Sequence, residues 1–337
     1  MEQLFFSGYH NDPDVVKKSS SGGAFTALTD AWFDEHGDKA VVYGCVLDND
    51  LKAMHCRSVT REDRDRMRGS KYISSDMTGV YRQISEDIKN GRYVLFSGTP
   101  CQVVAVKLFL KNAGVGCENN LLTLDFICHG VANKKFFHEY IQHLEKKYRS
   151  KAVYCSFRAK TRPGKLQAME VRFENGKRYV SPTTKHDWFY SAYLKSYIVR
   201  SSCFKCRFAK TERASDVTVA DNWFGVNVLK GYGESLLIIN TEKGEMLSKK
   251  CRVETSFSQK EDRDEVYSEQ MSMVTNKPDD YEIFHQIYKN HGFFEVQRYI
   301  GNNTVKGRIR FFIARIVDRL NLVNTIKTLK KKMKIRT

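Results

Sequence analysis

A chain of 337 residues in which 41% are hydrophobic, with 17 Tyr and 21 Phe, can bury a core without covalent cross-links, so a disordered or disulfide-stapled class is excluded. The net charge of +17 does not mark a nucleic-acid binder, because +10 of it lies in residues 305–337, where eleven Lys or Arg stand against the single acid Asp318. No basic leader with an apolar run opens the sequence, and no stretch has the roughly eighteen apolar residues of a spanning helix. With nine cysteines and no secretory signal, reduced thiols, metal ligands or redox chemistry are expected in a cytoplasmic protein.

In chain order, a Ser19-Ser20-Ser21-Gly22-Gly23 turn leads into a predicted helix from Ala24 to His36, where Phe25, Leu28, Trp32 and Phe33 recur at helical spacing and Gly37 stops it. The apolar run Ala40 to Val46 reads as a buried strand. A charged stretch from Arg61 to Arg68 then runs into Gly69-Ser70-Lys71-Tyr72 and a helix near Asp76 to Asn90. Next comes a compact unit: strand Tyr93 to Phe96, turn Ser97-Gly98-Thr99-Pro100, and a helix from Cys101 to Lys111 that Thr99 can cap and Pro100 can open. Leu121 to Ile127 is a second buried strand ending at Cys128-His129-Gly130. If the two strands are parallel neighbours, their carboxyl ends put Cys101 and Cys128 at one crevice, where open α/β sheets hold ligands.

After a helix around Lys134 to Tyr148, the pattern turns to alternating strands, with Glu174-Asn175-Gly176 as a hairpin turn between Met169–Phe173 and Arg178–Val180. A second subregion is expected from about Lys151. It contains Cys203-Phe204-Lys205-Cys206, a strand Asp216 to Ala220, the stretch Asp221-Asn222-Trp223-Phe224-Gly225, and a strand-helix unit from Ser235 to Cys251. The fold class is therefore α/β, mixed α+β: an open sheet with flanking helices, a second β-rich subregion and a basic helical tail.

Cys203 and Cys206 have the two-residue gap that lets both sulfurs reach one metal centre, and Cys101 and Cys128 supply two more. Zinc, an iron-sulfur cluster, or a CxxC site accompanied by two core cysteines all satisfy this spacing. The Ser19–Gly23 and Ser97–Pro100 turns precede helices, whose amino ends favour an anion such as a cofactor phosphate, although caps and turns have the same composition. The Arg68–Tyr72 loop suits a phosphate or an electron-rich ring edge, and equally an ordinary solvated loop. In the tail, Ile309, Phe312, Ile313, Ile316, Leu320 and Val323 form a helical apolar stripe among arginines, followed by Lys330-Lys331-Lys332; it can lie on an anionic membrane or pack on the body.

The ordered set Lys18–Gly23, Arg68–Tyr72, Leu95–Gln102, Cys128–Val131, Cys203–Cys206 and Ser215–Asp221 resembles the coenzyme F420 hydrogenase/dehydrogenase beta subunit family, over about Phe6 to Lys250. The resemblance implies an oxidoreductase carrying FAD and a 4Fe-4S cluster. Cys101, Cys128, Cys203 and Cys206 correspond to the cluster ligands; Ser20, Ser21, Gly22, Gly23, Gly69, Ser70, Lys71, Tyr72, Ser97, Gly98, Thr99 and Asp221 correspond to the flavin pocket, with Lys71 tuning the reduced flavin. It also implies family regions at 1–90 (flavin-binding loops) and 91–256 (cluster and flavin pocket), with a helical extension at 257–300 and the basic amphipathic tail at 301–337.

Two departures shape the expected partners. Many relatives open with a cysteine-rich ferredoxin-like segment, and here no cysteine precedes Cys45, so the electron partner is expected to be a separate ferredoxin or iron-sulfur protein. Relatives also read Gly-Asp-Phe-Trp-Gly where this chain has Ala220-Asp221-Asn222-Trp223-Phe224-Gly225. The substrate class is an F420-like hydride carrier or an organic, small-molecule or glycolipid-type compound of polysaccharide biosynthesis, with the tail placing the protein peripherally on the inner face of the membrane and no specific nucleic acid involved. The alternative is a non-catalytic adaptor held by a four-cysteine metal site, or a remnant subunit of a larger complex.

Overall fold

A computed structural model describes residues 2–162, 164–223, 225–251, 255–260 and 271–320. Val323, the Lys330–Lys332 run and Phe224 lie outside the described residues. The elements in chain order are β1 (Leu4–His10), α1 (Pro13–Lys18), α2 (Ala24–His36), β2 (Ala40–Leu47), β3 (Ala53–Ser58), α3 (Arg61–Asp65), α4 (Val80–Lys89), β4 (Tyr93–Ser97), α5 (Pro100–Asn112) and β5 (Leu121–Phe126). There follow α6 (Lys134–Tyr148), β6 (Ala152–Ala159), β7 (Ala168–Phe173), β8 (Arg178–Val180), α7 (Trp188–Leu194), β9 (Val217–Asp221), α8 (Val226–Leu229), β10 (Ser235–Ile239), α9 (Glu242–Cys251), β11 (Thr255–Lys260), α10 (Tyr281–Tyr299) and α11 (Val305–Arg319). Two compact units divide them, residues 1–131 with 201–275 and residues 132–200 with 276–337.

The first unit is built on an eight-stranded mixed sheet in the order β11-β1-β10-β9-β5-β4-β2-β3. Its centre is parallel: β2 pairs with β4, β4 with β5, and β5 with β9. The strands read as continuous apolar runs because both faces are covered. Val42, Val46 and Leu95 pack with Leu28 and Trp32 of α2 and Leu247 of α9, whereas Val41, Tyr43, Val94 and Phe96 pack with Ile84 of α4 and Val103 and Val106 of α5. Alternate residues of one strand thus enter different cores, as a period of two requires.

Several local expectations agree with the structure. The helix from Ala24 to His36 has those bounds, and β4 and β5 are parallel neighbours. The predicted helix near Asp76 to Asn90 begins later, at Val80, because Asp76 Oδ1 accepts from the Thr78 N–H and hydroxyl and forms a turn of its own before Gly79, with φ of 78°, starts the helix.

The second unit holds the antiparallel sheet β6-β7-β8, whose β7–β8 hairpin turns at Asn175 and Gly176 as its sequence predicts. Asp187 anchors this unit. Its side chain caps α7 through the Phe189 and Tyr190 N–H groups and accepts from the Tyr140 and Tyr179 hydroxyls at 2.7 and 2.8 Å, so both oxygens of a fully buried carboxyl are engaged. Among the described residues no helix is long and apolar enough to cross a membrane.

Candidate functional site at the carboxyl edge of the sheet

In a parallel sheet every strand delivers its carboxyl end to the same edge, and the loops that follow meet there. Here that edge receives Ser97 from β4, the Ile127-Cys128-His129 exit from β5 and Asp221 from β9; β10 begins beside it, with Ser235 paired to Asp221. All belong to the first unit.

The four thiols of interest gather around the exit of β5. Cys101 is exposed in the first turn of α5, with Sγ 3.1 Å from Thr99 Oγ1, while Cys128 is half-buried in the loop after β5. Cys203 lies in a 3-10 turn, Ser201–Lys205, and Cys206 just beyond it, rather than in plain loop. Burial of the Cys128 sulfur pushes its thiol up to about 12; Cys101, Cys203 and Cys206 are each near enough to oppose a charge there as well. Cys101, Cys203 and Cys206, up to 105 positions apart in the chain, thus each lie within electrostatic reach of Cys128. As placed, no group of three or more His, Cys, Asp or Glu closes to metal-holding distance among the described residues. The donor set, four sulfurs, has the chemistry of an iron-sulfur or zinc site.

Three side-chain contacts hold the elements that carry these cysteines. Lys107 of α5 donates to the Ala214 carbonyl at 2.6 Å, and Arg213 pairs with Asp125 of β5 at 2.9 Å while also donating to the Phe126 carbonyl at 3.1 Å. The Arg213 and Asp125 side chains are 3% and 0% exposed, so this is an interior ion pair; Thr218 of β9 donates to the other carboxyl oxygen at 2.6 Å. The segment after the CxxC is thereby tied to α5, whose first turn holds Cys101, and to β5, whose following loop holds Cys128.

The loops at Ser20–Gly23, Gly69–Tyr72 and Ser97–Thr99 are also joined. Ser20 Oγ accepts from the Ser70 N–H at 2.7 Å and lies 3.0 Å from the Ser70 hydroxyl. Ser21 donates to the Glu234 carbonyl at 2.5 Å and the Gly22 N–H to Ser235 Oγ at 2.9 Å, so one of the amides expected to be free is engaged. Gly22 must be glycine for a packing reason: a Cβ there would stand 2.5 Å from the Gly8 carbonyl and 2.6 Å from the Ser235 nitrogen. Gly23, with φ of 98°, starts α2 in the left-handed region that favours glycine. Gly69 has φ of 84° and open space where its Cβ would lie.

Thr99 caps α5 in a capping box with Gln102, whose Oε1 accepts the Thr99 N–H at 2.9 Å and whose amide donates to Ser75 at 2.8 Å. This second bond brings the 69–75 loop against the start of α5. Lys71 sits among the pieces: its ammonium donates to the carbonyls of Met67 at 2.8 Å, Arg68 at 2.9 Å and Arg66 at 3.4 Å, and burial draws its pKa down to about 8 while nearby Cys45 pulls it up. Its three donors are thus directed to main chain, and its charge reaches neighbours through space.

Other residues at this edge lie outside the candidate set. Buried His55 of β3 has Nε2 3.1 Å from the Ser97 carbonyl and stacks on Phe96; burial first, then the Lys71 charge, hold its pKa down to about 4. Its Nδ1 is buried without a partner among the described residues. Glu234, 6% exposed, binds the Asn222 amide at 2.9 Å and the Asn227 N–H at 3.1 Å, shaping the stretch after Asp221. Asp221 in turn faces His129, whose pKa burial lowers and Asp221 raises. His55 carries no local sequence signal, since it acts on a segment 42 positions away.

A family profile for the carboxyl-terminal part of the coenzyme F420 hydrogenase/dehydrogenase beta subunit matches residues 91–265. The chain belongs to this family. The matched span contains β4 through β11 and all four of the converging cysteines. No curated protein matches by sequence. Among solved structures, the F420-reducing NiFe hydrogenase complex from Methanosarcina barkeri contains a chain of like fold, with a TM-score of 0.52 and 18% identity, covering 89% of this chain and 94% of that one. At that identity the likeness speaks for the fold. As a member of a hydrogenase/dehydrogenase beta subunit family, the F420 family chain has a redox-related role.

Proposed function

We propose that this F420 hydrogenase/dehydrogenase beta-type chain is an oxidoreductase that uses FAD and a 4Fe-4S cluster to pass electrons between a separate ferredoxin-type protein and either an F420-like hydride carrier or an organic substrate. The observation that carries the reading is the crowding of Cys101, Cys203 and Cys206 around Cys128 beside a loop cradle at the sheet edge. Four sulfurs together are a soft donor chemistry suited to iron-sulfur. The cradle offers hydroxyls and main chain at Ser20, Ser21, Ser70 and Thr99, positive-φ glycines at Gly23 and Gly69, and the orphan His55 Nδ1, the kinds of group a flavin with its ribityl and phosphate parts requires.

When bound, FAD supplies the conversion of single electrons into a hydride. The chain's own residues do the rest by placement. Gly22 and the Ser20–Ser70 bond fix one loop against another, the Thr99–Gln102 box fixes the start of α5, and Lys71 holds a positive charge in the 69–75 loop of the cradle at neutral pH. Loss of that charge in Lys71→Ala is expected to lower the potential of the bound flavin, measured by anaerobic titration; an unchanged potential would remove Lys71 from this role.

Lys205 within the CxxC and Arg207 and Lys210 just after it are exposed and have no acidic partner among the described residues, a surface that favours an acidic electron carrier. For the organic substrate we favour a sugar- or lipid-linked intermediate of polysaccharide biosynthesis, used at the inner face of a membrane, which the basic helix α11 suits. The deciding experiment is purification without oxygen and a visible spectrum. Flavin maxima with a broad thiolate-to-iron shoulder support the enzyme; a colourless zinc protein would sink it in favour of an adaptor.

A further inference from the structure

Helix α11 carries its apolar residues on the outside. A surface helix ordinarily turns its apolar stripe to the core, yet Val305, Ile309, Phe312, Ile313, Ile316 and Leu320 are 77%, 54%, 64%, 53%, 41% and 62% exposed. At about 100° per residue these six fall within an arc of roughly 100°. The opposite side is the one that docks on the second unit. There Asp318 accepts from Arg162 and Lys165 at 2.6 Å each, and Phe311 lies under the Lys147 ammonium, 5.6 Å from the ring centroid. An ion-pair latch and the Lys147–Phe311 contact thus help to seat the helix, with its most apolar face exposed.

The cations complete the pattern. On the helical projection Arg308, Arg315 and Arg319 border one edge of the apolar arc and Lys306 and Arg310 the other, and none of the five has a carboxylate partner among the described residues. Contiguous exposed apolar surface of this kind marks an interaction site. An acid-free apolar face edged on both sides by Lys and Arg is the layout of a helix lying in a lipid interface, where apolar side chains enter the acyl boundary and the long cations reach out to anionic headgroups.

We propose that the outward face of α11 binds an anionic lipid surface, with Ile309, Phe312, Ile313 and Ile316 entering the bilayer and the Asp318 latch to Arg162 and Lys165 holding that face outward. This docking does not depend on the redox reading, because α11 and its seat lie wholly within the second unit and involve none of the cysteines. Sedimentation of the full-length protein with phosphatidylcholine vesicles containing phosphatidylglycerol tests it. The parent protein is expected to bind these vesicles and to bind pure phosphatidylcholine far less. The pair Phe312→Ser with Ile313→Ser should weaken partition at least roughly a hundredfold, from about tenfold for each apolar side chain withdrawn, and Arg308→Gln with Arg315→Gln about fivefold for each charge. These side chains are exposed, so far-ultraviolet circular dichroism should be unchanged. Equal sedimentation of the serine pair and the parent would overturn the proposal, as would equal binding to the two vesicle types. A vesicle-free dimer of the parent that the serine pair converts to monomer would assign the face to a second copy and also overturn it.

Discussion

Gly22 shows how a single hydrogen atom in place of a side chain decides the cradle. A methyl group there meets the Gly8 carbonyl and the Ser235 nitrogen, both main chain, and neither can rotate away. Gly22→Ala is therefore expected to destabilise the first unit by roughly 2 kcal/mol or more, in the range of overpacking with strain, read as a lower midpoint in urea. His55 gives a pH signature. Its pKa is held at about 4 in the folded chain against 6.5 as the ordinary value, so between those values the unfolded chain takes up a proton that the folded one refuses. Stability from this residue is complete above about pH 6.5 and falls as the pH drops toward 4, by about 1.4 kcal/mol per pH unit. In His55→Gln the acid-side slope of unfolding free energy should flatten by that amount, and an identical slope would show that His55 titrates normally. The residue types at risk were legible in part: the glycines and serines stand out in the sequence, whereas His55 does not, because its importance comes from a partner 42 positions away.

Among the elements, the β4-turn-α5 unit is the one most nearly written in local sequence. Thr99, Pro100 and Gln102 each act on neighbours within three positions, so composition alone announces the cap. The segment from Cys206 to Ser215 is the opposite case. It has little regular structure, and it is held by Lys107, Arg213 and Asp125, bonds that cross about 90 to 110 positions. Removing the charge in Asp125→Asn leaves the Arg213 guanidinium in the interior without its counter-ion, an expected loss of about 3–5 kcal/mol by urea unfolding. If the segment also positions Cys206, the variant should hold less iron per chain than the parent after anaerobic purification. A full iron content at reduced stability would confine the pair to a structural role. The CxxC itself was plain in sequence, though its 3-10 turn was not, since such short turns follow from what they pack against.

At the scale of the whole molecule, a cluster held by the four cysteines as proposed would make the two units respond differently to its removal. The converging cysteines belong to the first unit, and the Asp187 network with its two tyrosines belongs to the second. Iron chelation is expected to bring forward proteolysis at the 201–215 segment while α6 and α7 keep their hydrogen-exchange protection, because a ligand bound only to the native state stabilises the unit that holds it. Simultaneous loss of protection in both units would contradict this. By itself the sequence determined the class of the fold, the bounds of its best helices and the family, since these follow from short-range periodicity and from motifs that survive as contiguous strings, while the parallel pairing of β4 with β5 stood only as a condition that the structure met. Only the tertiary structure decided which remote partners hold the loops together, that residues 201–275 rejoin the first unit, and that the apolar stripe of α11 looks outward. Helical periodicity fixes which residues share a face but leaves the helix free to rotate about its axis, and the rotation was set by Asp318 meeting Arg162 and Lys165.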